Sequence, residues 1–194
     1  PPPPLFNDTA TTEIYTEDAS SAASDVYKRQ ALVLMVPDAD ALVAPLRDRS
    51  DPAAAMGVGA HVTVLYPFMP ADLLDRAVVE EVGRLAAAHQ AFDLELTRVR
   101  TFPGVVYLAV DPEAPVRALT EAAVARWPEH PPYGGVFEDP IPHLTVGHGG
   151  EELKEEAAGA LEPHLPLRAR ATRLDLLVFG GERWRTRASF PLCG

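Results

Sequence analysis

The sequence predicts an α+β fold of two pseudo-symmetric lobes, made of mixed or antiparallel sheets with outer helices and a central cleft. Strand-sized apolar runs alternate with amphipathic helical segments. The order of these elements repeats in the second half of the chain. Each half also contains one histidine-aliphatic-threonine-aliphatic segment, HVTV at 61–64 and HLTV at 143–146. We therefore treat 31–194 as a single two-lobed domain.

The first half is predicted to run from a buried strand to a hairpin. An aliphatic run predicts the first strand, and Asp38 is a suitable N-cap for the helix behind it. Small residues and glycines predict a loop before the first motif strand. The clearest helix comes next, because its apolar residues recur near a 3.6-residue period. The predicted elements are strands at 31–36, 60–66, 92–100 and 105–110 and helices at 40–49 and 71–90.

The second half repeats this order and adds a closing strand. A loop rich in proline and glycine leads into the second motif strand. Acidic residues in the first turn favour the helix that follows that strand. The glycine pair at 180–181 predicts a turn between the last two strands. The predicted elements are helices at 115–127 and 151–161 and strands at 141–147, 167–179 and 184–192.

The two motifs place a histidine and a threonine on one face of each strand. Residues i and i+2 of a strand share a face, so His61 projects with Thr63, and His143 projects with Thr145. Histidine has the ordinary pKa nearest neutrality, so a pair can supply one base and one acid. Threonine hydroxyls can donate hydrogen bonds to phosphate oxygens. We expect the four side chains to converge on one gap of phosphate size, which favours phosphoester chemistry without a metal.

The repeated motif resembles that of the 2H phosphoesterase superfamily, and within it the bacterial 2′-5′ RNA ligase-like proteins, which include cyclic phosphodiesterases. The resemblance extends over 31–191 in the order of elements as well as in the motifs. It implies that the four motif residues are catalytic and that neither metal nor cofactor is required. It also implies opening of 2′,3′-cyclic phosphates or related 2′-linked phosphodiesters, with 2′-5′ ligation as the reverse reaction. The sequence departs from the family at Gly147-His148, where many members carry a basic residue.

Four further residues are candidates for substrate binding. Tyr66, Phe68 and Tyr133 lie beside the motifs, where aromatic rings can stack on a base or a ribose. Arg185 belongs to an alternating row of arginines on the closing strand, and one of these can reach a phosphate. The alternatives are core or loop packing for the aromatic residues and an exposed strand face for the arginines.

The composition restricts the partners. A formal charge of −11 disfavours a long nucleic-acid footprint, so the expected partner is a small nucleotide or an RNA end. No apolar run is long enough to cross a bilayer, so we expect no membrane partner. The single cysteine, Cys193, cannot form an internal disulfide, which favours a cytoplasmic location. We also expect a monomer.

The N-terminal segment differs from the rest of the chain. Residues 1–30 begin with a proline run and continue with threonine, alanine, serine and acidic residues without apolar periodicity. The segment resembles a cloning artefact or a disordered tail, and we exclude it from the fold prediction.

Two classes of function stay open at this stage. The first is a phosphodiesterase acting on RNA ends, small nucleotides or a related cyclic metabolite. The second is a catalytically silent module of the same fold that binds nucleotides or RNA ends. The acidic charge and the absence of a basic residue at Gly147-His148 favour the second class, whereas the repeated pair of histidines favours the first.

Overall fold

The computed structural model describes residues 30–194. Of the N-terminal segment predicted to be disordered or artefactual, all but Gln30 lies outside the described residues. Thirteen helices and strands follow within this range. They are β1 Ala31–Met35, α1 Pro37–Ser50, α2 Pro52–Ala55, β2 His61–Leu65, α3 Arg76–Ala87, β3 Phe92–Phe102, β4 Val105–Asp111, α4 Ala114–Arg126, β5 His143–His148, α5 Glu151–Leu161, β6 Leu167–Ala171, β7 Arg173–Phe179 and β8 Trp184–Pro191.

The strands form two four-stranded antiparallel sheets, which confirms the predicted α+β class. Sheet one has the order β2-β1-β7-β8, and sheet two has the order β5-β4-β3-β6. In each sheet the motif strand lies at one edge and pairs with the strand that precedes it along the chain, β1 for β2 and β4 for β5. Strands β7 and β8 complete sheet one, and β3 and β6 complete sheet two. Of these four strands, all but β6 come from the half of the chain that does not contain the motif strand of their sheet. The halves therefore exchange strands, and neither sheet is built from one half alone.

One continuous core joins the two sheets to the helices. The aliphatic residues between the motif histidines and threonines point into it, and Val62, Val64, Leu144 and Val146 are all buried. Each such side chain contributes about 1.5–3 kcal/mol when it is fully buried. Helices α3 and α4 pack on sheet one, while α1 and α5 pack on sheet two. The helices therefore cover the core side of both sheets and leave the opposite faces for a site.

The segment 167–179, predicted as one strand, is in fact two strands in different sheets. Residues 167–171 pair with β3 in sheet two, and Arg173 begins β7, which pairs with β1 in sheet one. The two parts differ in their side chains. The first alternates apolar residues with arginines, as an exposed outer strand does, whereas the second is a nearly continuous buried run. The chain crosses from one sheet to the other at Thr172.

Three predictions about helices also need correction. Asp38 does not cap helix α1, which begins at Pro37, so that Asp38 lies in its first turn and Val36 is the N-cap residue. The helix predicted at 71–90 begins only at Arg76, because the Asp75 side chain accepts a hydrogen bond from the Val78 amide (2.9 Å) and caps it there. Residues 71–73 form a separate 3₁₀ turn. In the region predicted as a loop, Pro52–Ala55 forms a short helix that Asp51 caps through the Ala53 amide (2.9 Å). Within residues 30–194 no helix is long and apolar enough to span a bilayer.

Candidate active site

The strand registers place each motif histidine and threonine on one side of its sheet. His61 lies opposite Met35 and Thr63 lies opposite Val33 on the neighbouring strand β1. In sheet two, His143 lies opposite Ala109, and the next residue on that face is Thr145. We call the side of each sheet that carries these residues the motif face. The two motif strands β2 and β5 pack against each other, so the motif faces adjoin at the centre of the molecule.

Both motif histidines are held in the same way by the backbone. The Nδ1 atom of His61 lies 2.8 Å from the carbonyl oxygen of Gly59. The Nδ1 atom of His143 lies 2.7 Å from the carbonyl oxygen of Ile141. A carbonyl can only accept a hydrogen bond, so each Nδ1 carries a proton and donates it. The neutral ring therefore presents an unprotonated Nε2, the atom that can take up or deliver a proton.

The pKa values of both histidines lie below the ordinary value of 6.5. For His61, burial lowers the pKa most strongly, and the carbonyl of Gly59 opposes that effect. The positive charges of Arg47 and of a protonated His143 lower it further. Burial likewise lowers the pKa of His143, again against a backbone carbonyl. A charge on His143 affects the pKa of His61 because the strands that carry the two residues, β5 and β2, pack against each other.

A buried ion pair lies behind His61. Arg47 donates hydrogen bonds from Nε (2.9 Å) and Nη2 (2.7 Å) to one carboxylate oxygen of Asp51. Each of these side chains is only 3% exposed. Asp51 raises the pKa of His61 while Arg47 lowers it, so the pair places two opposing charges close to this histidine.

His143 has an aromatic environment instead. Phe102 and Tyr107 stack nearly parallel, with ring centroids 4.1 Å apart and an interplanar angle of 18°. The His143 ring meets both edge-on, at centroid distances of 5.1 Å from Phe102 and 5.3 Å from Tyr107. The two histidines thus make the same hydrogen bond to a backbone carbonyl, but their surroundings differ. Those of His61 are polar, and those of His143 are aromatic.

A cavity of about 510 Å³ opens beside Thr63. Tyr66 and Tyr133, both predicted to bind substrate, line it together with the face of α4 that includes Thr120. The backbone amide of Tyr133 donates a hydrogen bond to the carbonyl of Tyr66 (2.6 Å), which holds the loop that carries Tyr133 against the end of β2. The cavity is of the size range of small-molecule sites. Of the four motif residues Thr63 lines it, whereas His61, His143 and Thr145 lie outside its lining.

The other two predicted binding residues lie elsewhere. Phe68 is 2% exposed and packs edge-on against Trp127 in the main core, with ring centroids 4.9 Å apart. Arg185 is exposed on β8 opposite Val178. Its neighbour Trp184 contacts Tyr66, so alternation along the strand turns Arg185 to the other face of sheet one. The structure does not bring these two residues together with the motifs.

Several residues near the motifs escaped the sequence prediction. Phe102 and Tyr107 lie on strands that were predicted, but nothing in their local pattern indicates contact with His143. The cross-strand register brings them there. Arg47 and Asp51 are separated by one helical turn, a spacing that is typical of exposed ion pairs as well. Within residues 30–194, no group of three or more histidine, cysteine or acidic side chains is arranged to hold a metal ion.

Sequence comparisons relate the chain to phosphoesterases. A family model described as the 2′-5′ RNA ligase superfamily matches residues 35–183. A Bacillus cereus (strain G9842) protein with a provisional phosphoesterase name is 30% identical over 112 residues, which amount to 54% of this chain and 59% of the relative. The chain thus spans about three fifths of the length of that curated relative.

Solved structures share the fold. Escherichia coli LigT, crystallised with 3′-AMP, superposes with a TM-score of 0.57 at 17% identity, covering 86% of this chain and 99% of LigT. The Thermus thermophilus protein TT0787 also has a TM-score of 0.57, at 18% identity, with coverage of 86% and 98%. At these identities the likeness supports the arrangement of sheets and helices alone.

Proposed function

Because this chain belongs to the 2′-5′ RNA ligase superfamily, we propose that it is a metal-independent phosphodiesterase that opens 2′,3′-cyclic phosphates or related 2′-linked phosphodiesters. Its substrates are RNA ends or small nucleotides. In 2′-5′ ligation a 5′-hydroxyl takes the place of water as the group that attacks the cyclic phosphate, and the reverse of that step cleaves a 2′-5′ linkage. One observation carries the proposal. His61 and His143 each donate Nδ1–H to the carbonyl two residues earlier, which leaves Nε2 for proton transfer in both.

The four motif residues divide the reaction between them. The neutral histidine takes a proton at Nε2 from the attacking water, whose oxygen forms a bond to phosphorus. The bond from phosphorus to one ribose oxygen breaks, and the protonated histidine donates its Nε2 proton to that oxygen. Thr63 and Thr145 donate hydrogen bonds to the non-bridging phosphate oxygens, where charge is held in the transition state. The histidines exchange roles when the reaction reverses.

The cavity beside Thr63 supports a nucleotide as the substrate. Tyr66 and Tyr133 are aromatic residues of its lining, and aromatic side chains stack on bases of any sequence. The fold relative LigT was crystallised with 3′-AMP and, in another crystal, with ATP. A nucleoside held in the cavity would carry its phosphate next to Thr63.

A substrate screen tests the proposal directly. Incubation of the protein with the 2′,3′-cyclic phosphates of the common ribonucleosides is expected to yield nucleoside monophosphates, with the position of the phosphate determined by NMR. Binding of nucleotides without turnover of any cyclic or 2′-linked phosphodiester would instead favour the catalytically silent binding module.

Chelation is expected to leave the rate unchanged. The proposed proton transfers use imidazole groups and need no Lewis acid. Turnover of the preferred cyclic phosphate should be measured before and after dialysis against EDTA. Loss of activity on dialysis, restored by a divalent cation, would contradict the proposed mechanism.

The pH dependence of kcat/KM is expected to be bell-shaped with an optimum below pH 6.5. The reaction needs one neutral and one protonated histidine, and the pKa values of both lie below the ordinary 6.5 in the free protein. The rate therefore falls as pH rises, because the acid loses its proton, and falls again at lower pH as the base is protonated. The phosphodiester does not titrate in this range, so both limbs belong to the protein. An optimum above 6.5 would contradict the assignment.

A further inference from the structure

Within the described part of the chain, two exposed arginines of strand β3, Arg98 and Arg100, form no ion pair with a carboxylate. Arg98 lies at the irregular step between Leu96 and Val99, whereas Arg100 has a defined partner in the strand register. On strand β3 the acidic residues Asp93 and Glu95 are paired with Arg170 (2.8 Å) and Arg168 (3.0 Å) of the adjacent strand. Further along the same strand, Arg100 is exposed and forms no ion pair with any residue of the range 30–194. In a chain of formal charge −11, an unneutralised guanidinium is available to an anionic ligand.

The register aligns Arg100 with the second motif. Tyr107 on β4 lies opposite Thr145 of β5 on one side and opposite Arg100 of β3 on the other. Residues in one such row share a face of the sheet, so Arg100 lies on the motif face. Two strand spacings separate the Cα atoms of Arg100 and Thr145, a distance of about 10 Å. That distance places the guanidinium beyond the phosphate held by the motif residues, at the far side of the same surface.

Two stacked aromatic rings lie between the arginine and His143, Phe102 half-buried and Tyr107 largely buried, at 4% exposure. The stacked rings of Phe102 and Tyr107 adjoin His143. Burial raises the pKa of the Tyr107 hydroxyl, and the positive charge of Arg100 opposes that rise. The hydroxyl is therefore protonated at neutral pH and can donate a hydrogen bond. The half-buried Phe102 is the ring of this pair on which a sugar or a base between two phosphates can pack.

We propose that Arg100 and Tyr107 bind a second phosphate group of the substrate, the internucleotide phosphate next to the nucleotide whose phosphodiester is opened. The inference rests on the proposed function and narrows its substrate class to RNA ends of two or more nucleotides, in preference to mononucleotides. It also supplies a source for the anchoring cation that Gly147-His148 lacks. A guanidinium on a phosphate forms charge-assisted hydrogen bonds, which are the stronger class.

The test compares substrates with one and two phosphates. In wild type and in Arg100→Gln, kcat/KM is measured for a nucleoside 2′,3′-cyclic phosphate and for a dinucleotide that ends in the same group. The variant is expected to lose about 10-fold or more on the dinucleotide and to keep its rate on the mononucleotide. Arg76→Gln is the matched control, because it also removes one positive charge, from an exposed α3 residue on sheet one. This control variant should leave kcat/KM unchanged for both substrates.

A binding measurement separates this inference from the proposed function. Affinities for a dinucleotide with a terminal 3′-phosphate and for the corresponding mononucleotide are compared by calorimetry, which requires no turnover. Loss of the dinucleotide preference in Arg100→Gln supports the subsite even if wild type turns over neither cyclic substrate, an outcome that would reject the proposed function alone. An unchanged preference, or an equal loss on both ligands, would reject the subsite.

Discussion

Replacing either motif histidine by alanine, in His61→Ala or His143→Ala, is expected to lower turnover by about 10²–10⁴-fold. Each change removes one of the two Nε2 atoms that move protons, while the hydroxyls of Thr63 and Thr145 stay in place. The second histidine cannot replace the first, because the base and the acid act on different oxygens. Turnover of a 2′,3′-cyclic phosphate should be measured under saturating conditions.

His164→Ala is the matched control for this experiment. His164 is an exposed residue of a 3₁₀ turn, and its loss should leave the rate unchanged. Thermal unfolding of all three variants verifies that they are folded at the assay temperature. Full activity in both motif variants would remove the basis of the proposed function, since the chemistry would then depend on other residues.

The largest effect on stability is expected from Asp51. Asp51→Ala leaves the buried Arg47 guanidinium without its carboxylate, and breaking such a pair typically lowers the free energy of unfolding by about 3–5 kcal/mol. The variant also loses the hydrogen bond that caps helix α2. Urea denaturation followed by circular dichroism measures the change.

Two further variants separate the ion pair from the cap. Asp51→Asn keeps a side-chain oxygen that can accept the hydrogen bond from the Ala53 amide, but it removes the negative charge. The loss in its free energy of unfolding therefore measures the cost of leaving the buried Arg47 guanidinium without a counter-charge. Adding Arg47→Met to Asp51→Asn is expected to recover part of the lost stability, because the uncompensated charge is then absent. Glu80→Ala breaks the exposed Arg76–Glu80 pair and should cost at most about 1 kcal/mol. A loss of that size in Asp51→Ala would mean that the pair contributes no more than a surface pair.

The catalytic candidates could be predicted from the sequence because a strand has a period of two. That period alone brings His61 beside Thr63 and turns Val62 and Val64 into the core, as the structure has it. The repeat of the motif at 143–146 then predicts a second strand with the same arrangement of histidine and threonine. The role of an aromatic residue beside a motif is harder to predict, because residues of the core and residues that line a cavity occur in the same local sequence pattern. Phe68 belongs to the core, whereas Tyr66 lines the cavity.

The remaining features depend on contacts between distant parts of the chain. The row that joins Thr145, Tyr107 and Arg100 exists only through two strand registers, and these include irregular steps in both pairings. Local periodicity contains no information on such offsets. The division of 167–179 between two sheets is a similar case. The change from alternating to continuous apolar residues at Thr172 was visible, but it becomes meaningful only when the two partner strands are known.

The exchange of strands between the halves has a consequence for how such a molecule arises and assembles. A half of this kind on its own would contribute strands to two incomplete sheets, each with an unpaired edge. It would need a second copy of itself to supply the missing strands. Covalent linkage of two copies makes that association intramolecular and frees each copy to diverge. One imidazole has polar surroundings and the other has aromatic surroundings, a difference that two identical copies could not have.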